Sequence, residues 1–207
     1  MNRIVGWRSG LVLIPLMLVL FGASALYARG GQRQSEPPAR LQGTDIFPDG
    51  VHRAPSFALR DQNGRIVSSG ALRGHIYAIT FLDSRCRQEC PVAGRELASV
   101  QRALGPHSPL TVVVVSVDPA GDTPTSVRRF MRESGLSGSW HWLIGTRSRL
   151  LPVWNEYGID VQPVRGDISH TAAVYLIDRK GWMRVADGVP LLPHQLLQSV
   201  RVLQRSD

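Results

Sequence analysis

The stretch that most constrains the fold of this chain is the valine-rich run between Leu110 and Val117. Most of its residues are β-branched, and such residues favour an extended strand. The run does not alternate between apolar and polar residues, so both of its faces are expected to be buried. A strand of this kind is typical of the middle of a sheet that helices cover on both sides. The run therefore predicts the central strand of a layered α/β domain.

The rest of the chain supplies strands and helices in alternation around this run. Apolar stretches bounded by turn residues predict strands at residues 57–59, 65–67, 76–82, 140–144, 170–178 and 182–185. Amphipathic stretches predict helices at residues 92–104, 124–133, 147–157 and 193–203. Residues 161–169, which contain proline and glycine, are expected to form a polar loop. This order predicts an α/β sandwich with a mixed central sheet flanked by helices.

The only two cysteines of the chain lie in the turn between the predicted strand at 76–82 and the next helix. Pro91 suits the first helical position, so Cys86 and Cys90 are expected to precede the helix. The free N–H groups of a helix start favour thiolates, and Arg85 and Arg87 add positive charge beside them. The turn is therefore a candidate site for thiol chemistry.

Three interpretations of the cysteine pair remain open at this point. A structural disulfide is one, although so short a loop restrains the unfolded chain little. A redox dithiol is the second, but three residues separate Cys86 from Cys90, whereas two separate the cysteines of a thioredoxin site. A metal site is the third, and thiolates select Cu(I) or zinc. A structural zinc site needs four ligands, so a three-ligand Cu(I) site matches the available residues better.

A third ligand would have to come from the histidines. His170 lies at the junction of the predicted loop and an apolar strand, where functional residues are often held against a rigid sheet. The other histidines are expected to be surface or packing residues: His52, His75, His107, His141 and His194.

The loop after the valine-rich run carries two carboxylates. We expect Asp118 and Asp122 to be loop and cap residues rather than metal ligands, because carboxylates suit harder ions. Thr123 is predicted as the N-cap of the next helix, with Pro124 at its first position.

The N-terminal part of the chain predicts targeting and tethering rather than folding. Residues 1–28 combine a basic flank, an apolar stretch and a small-residue cleavage site, so they are expected to be a signal peptide or a retained signal-anchor. Residues 29–53 are rich in glycine, glutamine, proline and arginine, and they are predicted to be a flexible tether. The folded domain is predicted at residues 54–207. Such a chain would be exported, with the domain on the periplasmic side of the inner membrane.

The distribution of positive charge along the chain argues against nucleic-acid binding. The net charge is +8, and arginine supplies almost all of the positive charge because Lys180 is the only lysine. The arginines form no cluster with interleaved aromatic residues, so nucleic-acid binding is not predicted. A generally basic surface is expected instead.

Several motifs occur together in an order that resembles the SCO/SenC family of copper metallochaperones. They are Cys86-x-x-x-Cys90-Pro91, Val117-Asp-Pro-x-x-Asp-Thr-Pro124, Trp142-Leu-x-Gly145, Val153-Trp-x-x-Tyr-Gly158 and His170-Thr-Ala-x-Val-Tyr-Leu-Ile-Asp178. The resemblance implies a thioredoxin-like fold, and it maps Cys86, Cys90 and His170 onto the copper ligands of the family. The chain departs from the family pattern at Leu82-Asp-Ser84 and at Arg87, and neither departure removes a ligand.

The resemblance also implies a role and its partners. The chain is expected to bind copper, as Cu(I) with Cu(II) as the alternative, and to assist assembly of the copper centre of a haem-copper cytochrome c oxidase. The implied partners are a copper-receiving oxidase subunit or another copper chaperone, a thioredoxin-like reductant, and the membrane through the N-terminal segment. The alternative function is a thiol-disulfide oxidoreductase that uses Cys86 and Cys90 to reduce a partner. A binding module without transfer activity is a third interpretation.

Overall fold

The computed structural model describes residues 39–137, 139–164 and 167–206. The strands in these residues are β1 (Asp45–Ile46), β2 (Ala58–Asp61), β3 (Ile66–Ser68), β4 (Ile76–Leu82), β5 (Leu110–Ser116), β6 (Trp140–Ile144), β7 (Val161–Val164), β8 (Asp167–His170), β9 (Ala173–Ile177) and β10 (Met183–Gly188). All except β7 and β8 form one sheet, in the order β1-β10-β9-β4-β5-β6-β2-β3. The predicted segment at residues 1–28 lies outside the described residues.

The helices cover both faces of this sheet. They are α1 (Glu89–Leu104), α2 (Pro124–Ser134), α3 (Arg147–Glu156) and α4 (Pro193–Arg205). Buried residues of α1, α2 and α4 form one core with one face of the sheet, and those of α3 form a second core with the opposite face. The predicted mixed sheet flanked by helices is therefore confirmed.

The valine-rich run occupies the centre of the sheet, as predicted. Strand β5 pairs in parallel with β4 on one side and with β6 on the other. Every residue of β5 is buried. Strand β4 pairs with β9 in the antiparallel direction, which makes the sheet mixed. Both β4 and β5 therefore end at the same edge of the sheet, where the cysteine turn and the Asp118 loop begin.

The described part of the predicted tether packs against the sheet. Strand β1 pairs with β10 and forms the edge of the sheet on that side. The Asp187 carboxylate accepts a hydrogen bond from the Thr44 backbone at 2.6 Å, and the Gln42 backbone donates to Ser199 Oγ at 2.7 Å. The structured part of the described chain therefore begins upstream of Ala54, because the outer edge of β10 provides backbone partners for residues whose composition is that of a tether.

Within the segment 161–169, which we predicted to be a loop, residues 161–164 and 167–169 instead belong to the antiparallel hairpin of β7 and β8. Val161 pairs with His170, and Val164 pairs with Asp167. The hairpin is fixed to the fold because Val161 is buried in the second core and Ile168 packs against that core. His170 consequently ends strand β8 rather than opening β9.

A search of the described residues for a helix long and apolar enough to cross a membrane finds none.

Gly94 allows α1 to pack closely against α2. A Cβ atom at this position would lie 2.6 Å from Ser134 Oγ and 3.0 Å from Phe130 Cε1. Gly94→Ala should therefore lower the free energy of unfolding by about 1 kcal/mol, because overpacking of about 1–3 kcal/mol exceeds the gain in helix propensity of about 1 kcal/mol. Urea denaturation measures this. Gly94→Ala/Ser134→Ala should recover part of the loss, and a Gly94→Ala protein more stable than the parent would contradict the argument.

Candidate metal centre

The cysteine turn is shaped by the carboxylate and the backbone of Asp83. This residue follows β4, and its Oδ1 accepts the Arg85 backbone N–H at 2.7 Å, while its backbone oxygen accepts the Cys86 N–H at 3.3 Å. Helix α1 begins at Glu89. Cys90 therefore lies in the first turn of the helix, and the prediction that the helix begins at Pro91 is wrong by two residues. Asp83 shapes this turn without having been predicted to do so, although a strand followed by aspartate is a common start for such a turn.

His170 lies beside the second cysteine. The distance from Cys90 Sγ to His170 Nε2 is 3.9 Å, across 80 residues of sequence. The hairpin of β7 and β8 makes this contact, since it places the end of β8 next to the start of α1. Cys86 and Cys90 are both free thiols, with Cys86 half-buried and Cys90 buried.

The backbone fixes the orientation of the His170 ring. His170 Nδ1 lies 3.0 Å from the backbone oxygen of Thr171. A carbonyl oxygen can only accept, so Nδ1 carries the proton in the neutral ring and Nε2 keeps its lone pair. That lone pair is on the nitrogen facing the Cys90 sulfur. Metal-binding histidines are commonly held in this way by a backbone carbonyl.

Burial decides the state of the Cys90 thiol. Removal from water raises the pKa of Cys90 well above its usual range, and the neighbouring Cys86 raises it further, against a smaller lowering by a backbone hydrogen bond with Asp83. Cys90 is therefore a neutral thiol at pH 7 when no cation is beside it. A metal ion that binds it must displace a proton.

The loop after β5 is hydrogen-bonded to the cysteine turn through Asp122. Asp122 Oδ1 accepts the Ser84 backbone N–H at 2.8 Å, and Asp122 Oδ2 accepts the Trp142 indole N–H at 3.1 Å. Asp122 lies in the loop, as predicted, but these hydrogen bonds do not cap the helix, because both partners are distant in sequence. Thr123 is the N-cap of α2, as predicted, and its Oγ1 accepts the Ser126 N–H at 3.1 Å.

An open cleft of about 690 Å³ surrounds the three predicted ligands. Cys86, Cys90 and His170 all line it, together with charged residues from the cysteine turn, the Asp118 loop and the hairpin: Asp83, Arg85, Arg87, Glu89, Asp118 and Asp167. None of the other histidines lines this cleft. His141, for example, contacts Asp61 at 3.2 Å elsewhere in the fold.

The spacing of Cys90 and His170 suits a shared metal ion. With a metal–sulfur distance of about 2.3 Å and a metal–nitrogen distance of about 2.0 Å, two ligands at a trigonal angle lie about 3.7 Å apart. The observed 3.9 Å is close to this value and is long for a hydrogen bond. Within residues 39–137, 139–164 and 167–206, no three or more Cys, His, Asp or Glu side chains already surround one ion position.

The fold and the cleft define a thioredoxin-like protein with a free cysteine pair and a facing histidine. The SCO1/SenC family model matches residues 48–201, and the chain belongs to this family. The resemblance and the thioredoxin-like fold inferred from the sequence are thereby confirmed.

Three relatives illustrate the similarity. A SCO2-like protein of Rickettsia conorii is 27% identical over 177 residues, which covers 82% of this chain and 85% of the relative. Copper-bound ScoI of Bradyrhizobium japonicum is 28% identical with a TM-score of 0.63, covering 75% of this chain and 99% of that one. BsSco, a Sco-family cytochrome c oxidase assembly protein with a disulfide switch, is 21% identical with a TM-score of 0.67, covering 80% of this chain and 100% of that one.

Proposed function

We propose that this chain is a copper metallochaperone that binds one copper ion, as Cu(I), through Cys86, Cys90 and His170. The observation that carries the proposal is the His170 Nε2 lone pair, which faces the Cys90 sulfur at 3.9 Å. Cys86 lines the same cleft. Two thiolates and an imidazole form a soft donor set, and soft donors select Cu(I). Membership of the SCO1/SenC family and the similarity to copper-bound ScoI support this choice of ion.

The residues around the proposed copper ion have different roles. The Thr171 carbonyl keeps the His170 ring turned with Nε2 inward. Cys90 lies in the first turn of α1, where unpaired backbone N–H groups favour the thiolate once its proton has left. Cys86 is less buried than Cys90, so it is the ligand that an incoming donor or acceptor protein can reach first. Ligand exchange at Cys86 then allows the ion to move between proteins.

The recipient in this proposal is the copper centre of a haem-copper cytochrome c oxidase. BsSco, with the same fold, belongs to a family of cytochrome c oxidase assembly proteins, and this supports the assignment. In this scheme residues 1–28 export the chain and leave the domain on the periplasmic side of the inner membrane, anchored or released. A thioredoxin-like reductant would return Cys86 and Cys90 to the thiol form.

A specific observation favours a second function. Cys86 and Cys90 are both free and lie in one cleft, with only Cys86 half-exposed. A Cys86 thiolate could attack a partner disulfide, and Cys90 would then displace the partner thiol. The partner would gain two electrons and two protons, and the chain would end with a Cys86–Cys90 disulfide. This thiol-disulfide oxidoreductase needs no His170.

Copper stoichiometry tests the proposal directly. The reduced protein should bind one Cu(I) per chain, and Cys86→Ser and Cys90→Ser should each abolish high-affinity binding because each removes one of three ligands. Metal analysis after equilibration with a Cu(I) buffer provides the measurement. His107→Ala is the control, since that exposed side chain does not line the cleft. Full copper loading of either serine variant would refute the three-ligand proposal.

A further inference from the structure

Asp118 lines the cleft around Cys86, Cys90 and His170, and both oxygens of its carboxylate accept hydrogen bonds. Its Oδ1 accepts the backbone N–H groups of Ala120 at 3.2 Å and Gly121 at 3.0 Å. Its Oδ2 accepts Arg85 Nε at 3.0 Å and also contacts Arg85 Nη2. The side chain of Asp118 is 4% exposed, whereas that of Arg85 is 58% exposed. Arg85, the residue next to Cys86, therefore covers Asp118.

The ion pair lies directly on the backbone of Gly121. A Cβ atom at this position would be 2.0 Å from both Arg85 Nε and Asp118 Oδ2. The φ angle of Gly121 is not in the left-handed region, so space and not backbone conformation requires glycine. The chain thus leaves room at residue 121 for the guanidinium to reach Asp118.

This pairing decides whether the Asp118 carboxylate can act as a donor in the cleft. With Arg85 in place, both Asp118 oxygens already have partners, so this carboxylate is not available to an ion beside the two sulfurs and the imidazole nitrogen. Without Arg85, Asp118 Oδ2 would be an additional oxygen donor in the same cleft. Zn²⁺ in protein sites takes four ligands and accepts carboxylate oxygen, whereas Cu(I) is satisfied by soft sulfur and nitrogen.

We propose that Arg85 is a metal-selectivity residue that withholds the Asp118 carboxylate from the metal site and so disfavours Zn²⁺ relative to Cu(I). This inference rests on the proposed copper-binding function and adds a role for a residue that is not a ligand. Arg85 acts through Asp118 and is a positioning residue.

The test compares Zn²⁺ and Cu(I) affinities of the reduced full chain with those of matched variants. Arg85→Ala should bind Zn²⁺ at least about tenfold more tightly than the parent, since even outer-shell changes alter metal affinity by about 10- to 100-fold. Its Cu(I) affinity should stay within about threefold of the parent value. Arg85→Ala/Asp118→Asn should return the Zn²⁺ affinity to the parent value, because the freed oxygen donor is gone.

Arg87→Ala is the matched control for charge. Arg87 flanks Cys86 on its other side and has no ion-pair partner among the residues that the structure describes. Arg87 is exposed, so water screens its charge, and its removal should change the affinity for either ion by only about twofold. An equal Zn²⁺ gain in Arg87→Ala would overturn the proposal in favour of a general charge effect.

Two further results distinguish a failure of the role proposed for Arg85 from a failure of the proposed copper binding. If Arg85→Ala loses affinity for both ions and melts at a lower temperature, Arg85→Leu, which keeps the packing of the aliphatic stem, is measured in the same way. Loss of both affinities in Arg85→Leu would show that Arg85 only stabilises the turn, and would overturn the proposal. A parent that fails to bind Cu(I) would instead refute the proposed function, and the Zn²⁺ comparison between variants would still report whether Arg85 masks Asp118.

Discussion

Replacing His170 by alanine is expected to weaken Cu(I) binding by well over tenfold while leaving the cysteine pair able to oxidise. The loss follows because His170 supplies the nitrogen that faces Cys90 at 3.9 Å, and loss of even an outer-shell partner commonly costs about 10- to 100-fold in affinity. The cysteine turn should stay intact because Asp83, and not His170, bonds its backbone. A competition titration of the reduced protein with a Cu(I) chelator measures the first effect, and the disulfide reduction potential reports the second.

The control for this variant is His107→Ala, which makes the same chemical change outside the cleft. It should bind Cu(I) like the parent. If His170→Ala also binds Cu(I) as tightly as the parent, three-ligand binding is wrong and the oxidoreductase interpretation replaces it.

Elements with a strong local pattern could be predicted from the sequence. Strand β4 was predicted at residues 76–82 and is observed there, because a continuous apolar run bounded by turn residues has few alternatives. The N-cap at Thr123 is likewise a local signal, since its hydrogen bonds close within a few residues. Strand β1 and the hairpin of β7 and β8 could not be predicted in this way. Their pairing depends on edges and core positions that only the assembled fold provides.

The residues of the candidate site also differ in how far the sequence could predict them. Cys86 and Cys90 are neighbours in sequence, so their spacing alone indicated thiol or metal chemistry. His170 is 80 residues from Cys90, and periodicity could not bring it there. Its position next to an apolar strand made it a candidate, and the family resemblance then assigned it as a ligand, because the resemblance carries information about the assembled site. The Arg85–Asp118 pair spans 33 residues and has no local signature, so it was visible only in the structure.

Asp122 provides the second large expected effect, on stability. Asp122→Ala should lower the free energy of unfolding by about 3 kcal/mol at pH 4, since it leaves the buried indole N–H of Trp142 and the N–H of Ser84 without their acceptor, at about 1–3 kcal/mol each. This exceeds the loss expected for a local cap bond. Urea denaturation of the reduced, metal-free protein measures it, with the exposed Asp45→Ala as the control for loss of a carboxylate.

The stability loss in Asp122→Ala should also shrink as the pH rises. Burial raises the pKa of Asp122 from its usual value of 3.8 to about 6, against smaller lowering by hydrogen bonds from Ser84. The folded state then holds the proton more tightly than the unfolded state, so the contribution of protonated Asp122 to stability is complete below about pH 4, declines between about pH 4 and 6, and is lost above pH 6. A shift of about two pKa units corresponds to about 3 kcal/mol, which is the upper limit of the decline. Denaturation at pH 4, 5, 6 and 7 should show the difference in free energy of unfolding between the parent and Asp122→Ala narrowing. A difference that widens with pH would mean that the Ser84 and Trp142 hydrogen bonds outweigh burial and stabilise the ionised carboxylate.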